Sequence, residues 1–193
     1  MLLEVARQSL TLAAEGREPS HDLPVVPEFD AYGGAFVTLR QRGRLRGCIG
    51  QIESTGPLVQ VVAHCARAVA SEDPRFNPVR ADELGGIEIE LSILSIAQEI
   101  APNRIEVGKH GLIVSRGLQR GVLLPQVAGE LHWTAGKFLE QTCVKAGLEP
   151  EAWRNPETRI HGFTAEIFGE ADFRTEDSSG RETRTKSRYS IST

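Results

Sequence analysis

The sequence predicts an α+β fold with a largely antiparallel sheet, and three observations carry that prediction. From Gly34 to Arg40 the chain alternates Ala35, Val37 and Leu39 against Phe36, Thr38 and Arg40, and a second strand runs from Arg44 to about Ile52 after Gln41-Arg42-Gly43. A connection this short joins antiparallel neighbours, because a parallel crossover needs a dozen or more residues. Ile87, Ile89, Leu91 and Ile93 alternate with Glu88, Glu90 and Ser92, as in a strand with one buried face. Helical periods flank these strands without strict βαβ alternation, which sets the chain apart from a doubly wound parallel sheet.

The other elements follow from the same periodicities. Leu2, Leu3, Ala6, Leu10, Ala13 and Ala14 mark an amphipathic helix over residues 1 to 15, stopped by Gly16. Residues 17 to 32 are rich in proline and acid and read as a surface connection. Thr55 or Gly56 is the expected cap of a second helix with Pro57 at its first position. Leu58, Val61, Val62, Cys65 and Val69 form the buried face of that helix, and Asp73-Pro74 ends it. Short apolar runs at Leu112 to Val114 and Val122 to Leu124 predict further strands. Lys137 to Ala146 predicts a helix ended by Gly147, and residues 160 to 168 a last strand. The organisation expected is one domain over residues 1–170, followed by a polar tail over 171–193 with too little apolar material to fold alone, read as mobile.

A chain of 193 residues supports one well-cored domain or two closely packed subdomains. Its net charge of -4 argues against a surface devoted to nucleic acid or anionic membrane, so any basic site must be local. No apolar run approaches the roughly 20 residues of a spanning helix, and the opening residues show no signal peptide. Cys48, Cys65 and Cys143 are odd in number and lie far apart, which suits a reducing cytoplasm. Without close ligand pairs, no metal site is assigned, and no cofactor either.

The segment Leu45-Arg46-Gly47-Cys48-Ile49-Gly50 is the least ordinary part of the sequence. Strand alternation puts Arg44, Arg46 and Cys48 on one face, and Leu45, Gly47 and Ile49 on the other. Two strand rises separate Arg46 and Cys48 by roughly 6.6 Å, and a guanidinium that close favours the thiolate. Gly47 and Gly50 weaken a strand, and one reason for them is close approach by a ligand or another segment. A small buried thiol beside a bulge is the structural alternative. Cys65 and Cys143 lie on helices and read as small hydrophobes. Arg40, Arg42, Arg44 and Arg46 can hold phosphate or carboxylate, or simply blunt a strand edge with charge. The two prolines of Asp73-Pro74-Arg75-Phe76-Asn77-Pro78 stiffen a polar connection and can fix Asp73 and Arg75 in place. Lys109-His110-Gly111 and Leu124-Pro125-Gln126-Val127 combine strand ends with polar side chains, as pocket walls or turns do.

The six residues from Leu45 to Gly50 resemble the signature of the AMMECR-domain family. Asp73-Pro74-Arg75-Phe76, Gly108-Lys109-His110-Gly111, Leu123 to Val127, Trp133, Phe138-Leu139 and Cys143 to Leu148 resemble further family blocks in order. Prokaryotic members belong to the AmmeMemoRadiSam system, so the resemblance implies two partners, a Memo-like protein and a radical S-adenosylmethionine protein. It also implies a barrel-like, largely antiparallel sheet with packed helices, in two similar β-and-α halves. No reaction carries over. Two readings follow. In the first, Cys48 acts as nucleophile or carrier on an anionic small molecule, with Arg46, His110 and Gln126 assisting and Gly47, Gly50, Asp73 and Arg75 lining the site. In the second, the same strand docks a partner protein without catalysis.

Overall fold

A computed structural model describes residues 1–18, 23–54 and 56–173. Their contacts separate into two units, Met1–Ile93 with Glu166–Thr193, and Leu94–Ala165.

In the first unit, α1 (Leu2–Ala14) buries Leu2, Val5, Ala6 and Leu10. Gly16 takes φ +69° just beyond it, as expected of a stop. The hairpin consists of β1 (Tyr32–Gln41) and β2 (Arg44–Gln51), paired antiparallel. Its two-residue turn places Arg42 at φ 50° and Gly43 at φ 74°, the left-handed pair that matches the right-handed twist of the flanking strands. Next comes α2 (Leu58–Ser71), which packs on both hairpin strands and on α1. The sequence placed Pro57 inside this helix behind a Thr55 or Gly56 cap. Instead Pro57 is itself the N-cap residue, with ψ 136°, and no side chain caps the helix. Thr55 lies outside the described residues. The helix buries ten of its residues, including the five expected ones, against Ala35, Val37 and Leu39 of β1, and these form the core of the unit. The strand order here is β2-β1-β3, with β3 running Ile87–Ser95.

The second unit repeats the combination of a hairpin followed by a helix. β5 (His110–Arg116) and β6 (Gln119–Leu123) pair antiparallel, and α4 (Ala135–Lys145) packs on both. The Thr134 hydroxyl accepts the Lys137 amide at 3.2 Å as the N-cap of α4. β7 (Arg159–Gly169) pairs antiparallel with β5 and with the two-residue β4 (Gln98–Glu99). Phe138, Leu139, Cys143, Leu112 and Val114 centre a separate hydrophobic cluster. Leu124 to Val127 follows the end of β6 at Leu123, as expected, and also opens α3 (Pro125–Glu130), with Pro125 at its first position where the missing amide costs nothing. The α+β class with antiparallel pairing therefore holds. Residues 171–173 of the expected tail lie in a short 3-10 turn, and those from Arg174 on lie outside the described residues.

Candidate functional site

β2 positions the site, and a bulge shapes it. From Gln51 back to Gly47 the pairing with β1 is regular, with Ile49 opposite Val37, Cys48 opposite Thr38 and Gly47 opposite Leu39. The register then slips so that Leu45 faces Arg40, which leaves Arg46 as the extra residue. Leu45 is thereby turned out of the Gly47–Ile49 face, and it is 42% exposed. The simple alternation that set Arg46 beside Cys48 does not run through this point. The Arg46 guanidinium is held instead by both carboxylate oxygens of Glu83, each at 3.1 Å, and donates to the Pro78 carbonyl at 3.4 Å. Those bonds from Arg46 hold the Glu83 carboxyl below its usual range.

Cys48 is fixed through its backbone. Its amide donates to Asp73 Oδ2 at 2.9 Å, and its carbonyl accepts from Arg75 Nη2 at 3.2 Å. Asp73, only 4% exposed, also receives the Arg75 amide at 3.1 Å, Nε at 2.9 Å and Nη2 at 2.7 Å. The Arg75 side-chain bonds lead in holding the Asp73 carboxyl far below the usual carboxylate range, and the Cys48 amide adds to them. The same pairing raises the Arg75 guanidinium further. Arg75 is 54% exposed, lies 5.5 Å from the Phe76 ring centroid, and has no partner at Nη1 among the described residues. The Cys48 thiol is half-buried, and its Sγ accepts a hydrogen bond from Thr38 Oγ1 at 3.4 Å.

The first unit thus brings together three residues singled out in the sequence, Cys48, Asp73 and Arg75. It adds Thr38, and it engages Arg46 with Glu83. Gly47 and Gly50 are explained by approach of the protein itself. A Cβ on Gly47 would lie 2.9 Å from Val69 Cγ2 on α2, and one on Gly50 would overlap the Phe36 ring. His110 and Gln126 belong to the second unit. The Glu106 amide donates to His110 Nδ1 at 3.0 Å, and burial lowers the imidazole pKa. Gln126 Oε1 is buried with no hydrogen-bond partner among the described residues. In the arginine hairpin, Arg40 reaches Glu90 at 3.5 Å, while Arg42 and Arg44 border a surface cleft with Arg46. Among the described residues no three His, Cys, Asp or Glu side chains gather as a metal site.

The other thiols are of a different kind. Cys65 is fully buried on α2, its Sγ donates to the Ala35 carbonyl at 3.8 Å, and burial pushes its pKa up to about 11. Burial likewise raises Cys143 in α4. Cys65→Ser is therefore expected to cost about 1–3 kcal/mol, the penalty of burying a poorly partnered hydroxyl. Cys48→Ser, half-exposed beside Thr38, is expected to cost less than about 0.5 kcal/mol. Urea titrations of the two variants check this, and equal losses would contradict the distinction.

Known proteins match this chain along most of its length. The AMMECR1 family model matches residues 3–168. The chain belongs to the AMMECR1 family. A Methanothermobacter thermautotrophicus relative of this AMMECR1-family chain is 44% identical over 180 residues, covering 88% of this chain and 92% of the relative. A Thermococcus gammatolerans relative is 43% identical, covering 88% of each. The crystal structure of a Pyrococcus horikoshii protein is similar at a TM-score of 0.75 and 38% identity, covering 88% of this chain and 89% of the other. Cys48 thus sits in an AMMECR1-family fold, and no helix among the described residues is long and apolar enough to cross a membrane.

Proposed function

We propose that this AMMECR1-family chain is the thiol-bearing component of the Memo-like and radical S-adenosylmethionine protein system that its resemblance implies. In this reading the Cys48 sulfur meets an anionic small molecule whose charge rests on the outer flank of Arg75. The observation that carries the reading is the double clamp on Cys48. Amide and carbonyl are both tied to the Asp73–Arg75 pair while the thiol stays half-exposed beside a hydroxyl donor. A clamp of this kind preorganises a nucleophile, because its position is set before substrate arrives. The Thr38 hydrogen bond orients the sulfur, and Arg75 supplies a charge-assisted donor whose Nη1 has no partner among the described residues.

The competing reading is docking of a partner strand on β2, which among the described residues of its unit pairs with β1 alone. At Cys48 the outward amide and carbonyl that such a strand needs are already taken by Asp73 and Arg75. That favours the thiol site.

Iodoacetamide labelling of the full chain, resolved by peptide mass spectrometry, tests the proposal. Cys48 is expected to react several-fold faster than glutathione at pH 7. Thr38→Val should slow it, and small carboxylates or phosphate should protect it unless Arg75 is replaced by Met. Labelling slower than glutathione, with no anion protection, would leave the binding role as the better account.

A further inference from the structure

A second cavity of about 710 Å3 lies wholly within the first unit, and none of its lining residues belongs to the Cys48 site. Its volume falls in the range of small-molecule sites. The floor is aliphatic, with Leu2, Leu58 and Ile93 all nearly buried. The walls are aromatic. Phe29 and Tyr32 stand edge to face with ring centroids 6.3 Å apart, and Phe168 and the 70% exposed Phe173 complete them.

The charged groups around this cavity are unequally committed. Arg7 and Glu170 close on each other, for Arg7 Nε donates to Glu170 Oε1 at 2.8 Å and Nη2 bonds both Glu170 Oε2 and, at 2.7 Å, the Ile87 carbonyl. Glu170 Oε2 also accepts the Ile89 amide at 2.9 Å. This pair has little left to offer a ligand. Glu4 meets the Met1 amine at 3.2 Å. Glu166 is exposed on the rim and has no partner among the described residues. The cavity therefore presents a greasy aromatic interior, two cations that each already face a carboxylate (the Met1 amine on Glu4 and Arg7 on Glu170), and one carboxylate, Glu166, with no partner among the described residues. An anion would have to compete with those carboxylates for either cation. A neutral hydrocarbon would ignore the rim. A positive charge near Glu166, with its carbon body against the rings, satisfies both features, and aromatic faces attract cations in addition.

We propose that this cavity binds a small organic cation, an ammonium carried on an aromatic or alkyl body. The proposal is independent of the Cys48 reading. Dansylcadaverine, which joins an aromatic body to a primary ammonium, is a suitable fluorescent probe for the full chain. Saturable one-to-one binding with blue-shifted emission is expected. Its N-acetylated, uncharged analogue should bind about three- to fivefold more weakly, the scale of one exposed ion pair. Glu166→Gln should reduce that difference, leaving only what the aromatic faces contribute, and Phe173→Ala should weaken both probes. Both positions are exposed, so both variants are expected to fold. No binding up to the solubility limit would overturn the proposal. So would equal binding of the neutral analogue, a preference undiminished by Glu166→Gln, or tighter binding of the anionic dye anilinonaphthalene sulfonate.

Discussion

Asp73→Asn is expected to cost about 2–4 kcal/mol of folding stability at neutral pH, because four hydrogen bonds converge on one buried carboxylate. An amide in its place keeps one oxygen and turns an NH2 toward donors. With the NH2 at the Oδ2 position the Cys48 amide and Arg75 Nη2 face a donor, and with it at the Oδ1 position the Arg75 amide and Nε do. Arg75 can turn to water, being 54% exposed, so the loss stays below that of a fully buried ion pair. The pH dependence has a definite sign. Arg75 depresses the Asp73 pKa in the folded protein, so the stabilisation is complete above the unfolded value of about 3.9. It fades as pH falls through the lower folded value. Wild type and variant should therefore differ most at pH 5 to 7 and converge in strong acid. Urea melts across this range check the expectation. A loss under about 1 kcal/mol at pH 7, or a gap unchanged by strong acid, would show that the clamp does not hold Cys48.

The hairpin was legible because strand alternation and a two-residue turn are local signals, and so was α2 from its repeat of Leu58, Val61, Val62, Cys65 and Val69. The site was only partly legible. Counting outward from the turn, where Gln41 faces Arg44, an unbroken ladder would put Val37 opposite Cys48. The bulge at Arg46 shifts the pairing by one and brings Thr38 there instead. No residue type in this stretch announces a bulge, so neither Thr38 opposite Cys48 nor the hold of Glu83 on Arg46 is legible in the sequence. Glu83, the partner of Arg46, lies 37 residues away, and Asp73 lies 25 residues from the amide it holds. Such bonds depend on how α2 and the chain after it return to β2. Two prolines made Asp73 and Arg75 visible as a stiff element, although nothing local showed that they would grip a backbone. The repeated hairpin-and-helix plan, which the family resemblance implies, is not visible in the residue periodicities themselves. Each unit also sets a glycine against a phenylalanine on a neighbouring strand, Gly50 against Phe36 across β2 and β1 and Gly111 against Phe163 across β5 and β7. A glycine opposite a phenylalanine is visible only once register is known.

Gly50→Ala is expected to destabilise the fold by about 2–3 kcal/mol, the upper part of the range for overpacking. The glycine faces Phe36 directly across the ladder, and a Cβ there would overlap the base and edge of the ring and stand 2.6 Å from the Ala35 carbonyl oxygen. Swinging the ring away relieves only the first clash. The second involves backbone of β1, whose neighbouring side chain Ala35 is fully buried under α2 and cannot move freely. Phe36→Ala in the same chain should therefore restore part of the loss and not all of it, a non-additivity that a double-mutant cycle reads directly. The outcome also decides why the motif holds this glycine. If Gly50 served only to admit a ligand, alanine would leave the melting temperature unchanged and alter binding alone. A loss below about 0.5 kcal/mol would favour that reading. A large loss, partly relieved by shortening Phe36, assigns Gly50 to packing and leaves Cys48, Thr38 and Arg75 as the groups that carry the proposed site.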